Sequence, residues 1–209
     1  MHLTGLLRLL RDHPTFQHQL EHLQNTDLAV NVIRSARPFV LAALTETWDG
    51  PILYLTARVK RTYDITGQLP VWLGDAAHIT RFAEPAAKFY EWALWGESAI
   101  RHRLETLTAL MPANDQVTQW PVVVTSARAV MQRTLPVNQF RRRSSMLKIG
   151  DRYVLDKLLA DWIAIGYEAT PIVIEPGSFS RRGGVIDIYP VAAEQPVRIE
   201  FFDDEIDSL

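Results

Sequence analysis

The sequence predicts an α/β domain with a parallel sheet over residues 1–133 and a smaller α+β domain with an antiparallel sheet over residues 134–209. Runs typical of strands alternate with runs typical of helices in the first part, and this alternation indicates parallel pairing. In the last part, strand-like runs follow one another with short turns, which favours an antiparallel sheet with one helix. Residues 136–145, PVNQFRRRSS, lie between the two patterns and mark the expected boundary or linker.

The elements of the first domain follow from the spacing of its apolar residues. Leucines at positions 3, 6, 7, 9 and 10 fit a short helix that ends before Pro14, and residues 15–23 fit a second helix. Apolar or β-branched runs predict strands at residues 28–33, 51–56, 71–73 and 121–125. One helix is expected from Pro38 to Trp48, and another follows the second strand and ends at Gly67. Two more helices are expected over residues 97–111 and 126–132. Residues 81–95 are irregular in pattern and rich in aromatic side chains.

The second domain is predicted from the same kind of pattern. Strands are expected at residues 146–149, 171–175, 184–189 and 197–202, with a helix over residues 153–165 that Gly166 ends. Arg181 and Arg182 fall in a glycine-flanked turn before the third strand. Arg198 and Glu200 alternate with apolar neighbours in the fourth strand, so they share one face of the sheet.

Composition narrows the classes of function. The chain is 47% hydrophobic and 22% charged, as an ordinary globular protein is, and its net charge of −2 gives no overall basic excess for nucleic acid. It has no cysteine, which excludes disulfides and cysteine-ligated metal, and we expect no metal site. The basic run Arg141–Arg143 is short, which favours a linker that tolerates charge. No run reaches the roughly 20 apolar residues that cross a membrane, so we expect a cytoplasmic protein.

The last 35 residues, from Glu175 to Leu209, carry the most specific signal in the chain. They resemble the second domain shared by the bacterial excision-repair protein UvrB and the transcription-repair coupling factors. The resemblance rests on an uninterrupted series of residues: Gly177, Phe179, Arg182-Gly183, Asp187, Tyr189-Pro190 and the run Arg198-Ile-Glu-Phe-Phe-Asp-Asp-Glu-Ile-Asp207.

In this family the domain is a docking surface for UvrA rather than a catalytic centre, so the resemblance implies no catalytic residue in this chain. The resemblance therefore implies that Arg182, Arg198 and Glu200 contact UvrA. Arg181 is expected to assist them, and Phe179 is expected to supply an apolar anchor. The planar guanidinium groups suit the recognition of carboxylates on a partner.

A second point of resemblance concerns nucleotide binding. UvrB carries a phosphate loop, Gly-Ser-Gly-Lys-Thr, between its first strand and helix, whereas coupling factors lack it. The equivalent residues here are Arg34, Ser35, Ala36, Arg37 and Pro38, so the glycines, the lysine and the magnesium-binding threonine are all replaced. The resemblance implies a degenerate phosphate loop and no cofactor in this chain, although the two arginines and the helix dipole favour a bound anion.

The chain is accordingly expected to be the N-terminal UvrB-like module of a coupling factor, and a fragment without turnover of its own. The resemblance implies that the complete protein is an ATP-driven translocase on double-stranded DNA, which displaces stalled RNA polymerase and recruits UvrA. ATP and magnesium would bind in motor domains outside this chain. Two alternatives stay open: a fragment of UvrB itself, which requires a working phosphate loop, and a DNA-binding module, which requires a basic stripe.

Overall fold

The computed structural model describes residues 2–23, 27, 29–75, 77–85, 95–111 and 119–209 of the chain. The chain folds into two compact units, one formed by Met1–Glu84 with Glu105–Gln132 and the other by Pro85–Leu104 with Arg133–Leu209. Each unit has its own sheet, of three strands in the first and five in the second. None of the helices in the described residues combines the length and the apolar character that crossing a membrane requires.

The first unit is a parallel sheet with helices. Its strands follow the order β1-β3-β2, and both strand pairs are parallel, as the alternation of helices and strands predicts. The elements as far as residue 130 are α1 (Leu7–Arg11), α2 (Pro14–Leu23), α3 (Arg37–Thr45), β1 (Ile52–Thr56), α4 (Val59–Leu73), β2 (Ile79–Phe82), α5 (Glu97–Ala109), β3 (Val122–Ser126) and α6 (Ala127–Val130). Helix α5 includes residues of both units.

The core of the first unit lies between the sheet and helices α3 and α4. Every residue of the central strand β3 is buried, and β1 and β2 pair with its two edges. Side chains from the two helices and the strand form one apolar cluster: Leu41, Ile65, Leu69, Val122 and Val124.

All three strands of this sheet end at the same edge. Thr56, the last residue of β1, pairs with Ser126 of β3, and Phe82 of β2 pairs with Thr125. The chain leaves β1 at this edge and enters α4 three residues later, at Val59. The carboxyl edge of a parallel sheet is where open α/β folds place their ligands.

Two strand predictions in the first unit are wrong. Residues 29–33 lie in neither a helix nor a strand, because no strand among the described residues pairs with them; Leu28 lies outside the described residues. Residues 71–73 belong to α4, which continues beyond Gly67 and through Pro70. Packing explains this extension, since Leu69 is fully buried in the core and Leu73 packs against it.

The described residues include only part of the segment with the irregular, aromatic-rich pattern, residues 81–95. Its first two residues belong to β2, a strand that pattern reasoning missed. The segment from 86 to 94, which carries most of its aromatic side chains, lies outside the described residues.

The second unit is a five-stranded sheet packed on one face against a helix. Its strands follow the order β4-β5-β6-β7-β8; β4 and β5 are parallel, and all other pairs are antiparallel. The elements from residue 137 onward are α7 (Val137–Arg142), α8 (Leu155–Ile165), β4 (Glu168–Ala169), β5 (Ser178–Arg182), β6 (Val185–Tyr189), β7 (Val197–Phe202) and β8 (Glu205–Ser208).

Helix α8 covers the inner face of this sheet. Trp162 packs edge to face on Phe179, with ring centroids 5.6 Å apart. Gly166 ends the helix in the left-handed conformation, with φ of 107°, which confirms the predicted end of the helix. The buried cluster consists of Leu158, Trp162, Phe179, Ile186, Ile188, Ile199 and Ile206.

Two further strand predictions are wrong in this unit. Residues 146–149 and 171–175 belong to no strand. Ile172 and Ile174 are 68% and 72% exposed, and Pro171 has no N–H to give to a ladder. A short apolar run does not become a strand without a pairing partner, and the edge strand here is instead the two-residue β4.

The residues between the two sequence patterns are also more ordered than a linker. Residues 136–145 include helix α7, whose Phe140 is buried. Arg181 and Arg182 end strand β5 rather than lying in a turn, and the turn itself is Gly183-Gly184. Gly183 has φ of 66°, and a Cβ on Gly184 would lie 2.9 Å from the carbonyl oxygen of Phe201. The two glycines are therefore required by the turn geometry and by a close backbone approach.

Candidate docking surface

The outer face of the five-stranded sheet, opposite α8, carries the charged residues singled out in the sequence. Residues alternate between the two faces of a strand. Ile199 points into the core, so Arg198 and Glu200 point outward, as predicted. Arg182 at the end of β5 and Asp187 in β6 lie on the same outer face. We call this surface the docking face and define it by Arg182, Asp187, Arg198, Glu200 and Phe202.

A bidentate ion pair lies at the centre of the docking face. Asp187 and Arg198 are register partners on β6 and β7. Nε of Arg198 donates to Oδ1 of Asp187 at 2.7 Å, and Nη2 donates to Oδ2 at 3.1 Å. Two parallel N–H···O bonds fix the plane of the guanidinium as well as its position.

The ion pair favours the charged form of both side chains, so the pKa of Asp187 is lowered and the pKa of Arg198 is raised. Hydrogen bonds from Arg198 hold the pKa of the Asp187 carboxyl below its ordinary value, and the charge of Arg182 adds to this. The hydrogen bond to Asp187 in turn raises the pKa of Arg198, and the nearby charge of Glu200 contributes in the same direction. Both groups are therefore ionised at neutral pH.

Arg182 is placed beside this pair by its own contact. Its Nη2 donates to the carbonyl oxygen of Pro171 at 3.3 Å. A shallow groove of about 420 Å³ connects these groups; it is lined by Ile172, Val173, Arg182, Asp187, Pro196, Val197 and Arg198. Two guanidinium groups, one carboxylate and an exposed isoleucine thus share one concave surface.

An exposed aromatic ring on the same face was not anticipated from the sequence. Phe202 is 80% exposed, whereas its neighbour Phe201 packs against the core. The Phe-Phe doublet at the end of an alternating strand was the available signal, because one ring of such a pair must face outward. Phe202 lies on the side of Arg198 and Glu200.

Arg181 and Phe179 point to the opposite face of the sheet. Nη1 of Arg181 donates to Oδ1 of Asp156 on α8 at 2.6 Å. Phe179 is only 3% exposed and packs on Trp162. The expectation that Phe179 is a surface anchor is therefore wrong, because its ring belongs to the core; the exposed ring is that of Phe202.

The residues compared with a phosphate loop lie in the first unit. Arg34–Ala36 form one 3₁₀ turn, and Arg37 begins α3 with Pro38 behind it. Nη2 of Arg61 donates to the carbonyl oxygen of Arg34 at 3.1 Å, which ties this turn to the start of α4. The backbone has the form of a helix start, and its side chains present two exposed arginines.

Comparison with known proteins gives two consistent results. A family model described as the UvrB interaction domain matches residues 146–209. The chain is also similar to proteins named transcription-repair-coupling factor. One from Bacillus subtilis is 31% identical over 175 residues, covering 84% of this chain, and one from Mycobacterium tuberculosis is 30% identical over 209 residues, covering 99%. One from Haemophilus influenzae is 34% identical over 113 residues, covering 54% of this chain. The chain spans between 9% and 17% of the length of these relatives.

Proposed function

Because this chain belongs to the transcription-repair-coupling factor family and carries a UvrB interaction domain, we propose that it recruits UvrA through the docking face. One observation carries the proposal: the residues that match the family model place two arginines, a paired carboxylate and an exposed phenylalanine on one sheet face, away from the core. Exposed aromatic and arginine side chains are the groups that most often dominate interface energetics.

The role of the complete protein is part of the same proposal. Its relatives are named transcription-repair-coupling factor. As the resemblance of the sequence implies, the complete protein would be an ATP-driven translocase on double-stranded DNA that displaces stalled RNA polymerase in the cytoplasm. This chain would contribute the recognition step, in which UvrA arrives at the lesion. A fragment of UvrB is the less well supported alternative, because the relatives over 84% to 99% of the chain are coupling factors.

Charge reversal of the docking face tests the proposal. Arg182→Glu and Arg198→Glu each remove a guanidinium and place a carboxylate where the partner presents its own. We expect UvrA affinity to fall about thirtyfold or more for each variant, because a charge pair at an interface is lost and replaced by repulsion. The measurement is biosensor binding to immobilised UvrA.

Arg181→Glu provides a matched control. It makes the same chemical change one residue along the same strand, but on the face that α8 covers. UvrA binding by this variant should stay within a few fold of wild type. If both Arg182→Glu and Arg198→Glu bind UvrA normally, or if Arg181→Glu loses binding equally, the docking face is not the UvrA site. Thermal melts of all variants distinguish lost contact from lost folding.

We further propose that the chain binds no ATP of its own. The equivalent of the phosphate loop lacks its glycines, lysine and threonine, and Arg37-Pro38 opens a helix in their place. Calorimetric titration with Mg-ATP should give no heat of binding at micromolar nucleotide. A micromolar dissociation constant, or an ATPase activity lost in Arg37→Ala, would contradict the proposal.

A further inference from the structure

The charge of the first unit is unevenly distributed. The whole chain has 22 basic and 24 acidic residues. The segments at the carboxyl edge of the three-stranded sheet, residues 29–37, 56–64, 83–84 and 126–132, carry six basic residues and two acidic ones. Net charge alone therefore conceals a local excess of positive charge at this edge.

Four of these basic residues form an exposed group that we call the basic edge: Arg34, Arg37, Arg58 and Lys60. The contact between Arg61 and the Arg34 carbonyl joins the start of α3 to the start of α4, so the four residues lie around one junction. All four side chains are exposed.

The two acidic residues at this edge are held by the other two arginines. Oδ2 of Asp64 lies 3.8 Å from Nη1 of Arg61, and Oε1 of Glu84 lies 3.7 Å from Nη1 of Arg128. Glu84 also accepts a hydrogen bond from the hydroxyl of Ser126. The carboxylates are thus engaged with partners other than the basic edge.

The backbone reinforces the positive field. Helices α3 and α4 both begin at this edge, and neither has an acidic residue in its first turn. The N-terminal end of a helix carries a partial positive charge. Acidic residues are instead found where the chain enters the strands, at Glu46, Asp49 and Asp75, which belong to the opposite edge.

We propose that the basic edge binds the phosphate backbone of double-stranded nucleic acid. The four cations come from two separate helix starts and are all solvent-exposed, without a glycine loop that wraps one phosphate group. Such an arrangement fits a row of phosphates better than a single terminal phosphate. The site is in the first unit, so it is separate from the docking face and does not depend on the UvrA proposal.

The salt dependence of binding is the measurement. Four phosphate contacts give a slope of about −3.6 for log K against log salt, or about 150-fold weaker binding of a short duplex at 200 mM than at 50 mM. The variant Arg58→Glu/Lys60→Glu removes two contacts and should reduce the slope to about −1.8. Because acidic side chains near a helix N-terminus are favourable, this variant should keep its melting temperature. Arg58→Gln/Lys60→Gln is the second variant, with the same expected slope.

A control variant with the same change in net charge distinguishes binding at the basic edge from general electrostatic attraction. Arg142→Glu/Arg143→Glu makes the same change in net charge at the exposed basic run after the first unit. If the basic edge is the site, this control keeps the wild-type slope in fluorescence anisotropy with a labelled duplex. An equal fall in both double variants overturns the proposal.

Competition identifies the ligand. Inorganic phosphate should displace the duplex no better than sodium chloride of equal ionic strength, and poly-glutamate should compete less well than unlabelled duplex at equal charge. Displacement by phosphate at low concentration would indicate a single-phosphate site. Better competition by poly-glutamate would indicate an acidic protein segment, and either result overturns the nucleic-acid assignment.

Discussion

The guanidinium of Arg198 is already held in place before any partner binds. Arginine has five N–H donors, and Asp187 uses two of them. Three donors remain, in a plane that the carboxylate fixes. The Arg198 side chain is 61% exposed and that of Asp187 only 23%, so the arginine covers the carboxylate and presents its free edge outward. A side chain fixed in this way loses less conformational entropy on binding than a mobile one.

The ion pair also predicts how stability depends on pH. The Arg198 hydrogen bonds lower the pKa of Asp187 in the folded state, so its contribution is complete above the ordinary Asp pKa of about 3.9. That contribution is lost as the pH falls below this value and through the lowered pKa. Asp187→Asn should therefore lower the Tm more at pH 7 than at pH 2.

Arg198→Gln supplies the cross-check for this pH prediction. It should show the same fall at pH 7, and the double variant should show little more than either single one, because both changes remove one interaction. Differential scanning calorimetry at the two pH values measures all three variants. A Tm difference for Asp187→Asn that is as large at pH 2 as at pH 7 would show that the residue contributes through packing instead.

At the scale of elements, helix ends and helix interiors use glycine in opposite ways. Gly166 ends α8 with φ of 107°, and a Cβ there would contact nothing within 4 Å. The free-energy cost of adding a side chain at Gly166 therefore comes from the backbone conformation alone. Gly67 lies exposed in the interior of α4, where a Cβ also finds open space. The same substitution at these two sites should have opposite effects.

Gly166→Ala is expected to destabilise the protein by about 1 kcal/mol, because a left-handed conformation brings Cβ too close to the following carbonyl oxygen. Gly67→Ala is expected to stabilise it by about 0.5–1 kcal/mol, because alanine loses less entropy in a helix. Chemical denaturation measures both free energies of unfolding. Equal signs for the two variants would show that one of these helix positions differs from its description.

At the scale of the whole molecule, the sequence predicts a boundary near residues 134–145. Arg141 and Arg142 close the short helix α7, and Arg143 follows it outside any element. All three arginines are exposed. Proteolysis favours exposed chain with few backbone hydrogen bonds, so the residues just after α7 are the most accessible part of this segment.

Limited trypsin digestion should therefore cut first at Arg141–Arg143, with Arg143 the preferred site. Mass spectrometry of the first two fragments identifies the position. A triple Arg→Gln variant at these residues should delay the first cut without changing the Tm. Earlier cleavage within α4 or α8 would place the boundary elsewhere.

The elements predicted correctly are those whose local pattern agrees with their tertiary environment. Strands β6 and β7 alternate apolar and polar residues, and α8 has an apolar stripe with a glycine at its end, so local and global signals coincide. Residues 29–33 and 171–175 have the same β-branched character but lack pairing partners among the described strands. Strand pairing depends on residues that are distant in the sequence, and a local pattern holds no information about them.

Only part of the docking face could be predicted from the sequence, because only some of its strands have a clear local pattern. The alternation of apolar and polar residues along β7 correctly predicts that Arg198 and Glu200 share one face, because this alternation depends on the strand alone. The sequence pattern places Arg181 and Arg182 in a turn and predicts no strand over β5, so it assigns no inner or outer side to the flanking Phe179. Once β5 is a strand, the burial of Phe179 and the exposure of Arg182 both follow from its pairing with β6.

The separation of the two sheet faces has a consequence for how such a protein changes over generations. Along β7, every second residue is constrained by the core and every other one by what the protein meets outside. Substitutions of outward residues that make no ion pair cost little folding free energy, since such exposed positions usually change it by about 0.5 kcal/mol or less. Natural selection for a folded chain therefore acts mainly on the inward residues, and the constraint on the outward residues comes from the surface that they meet.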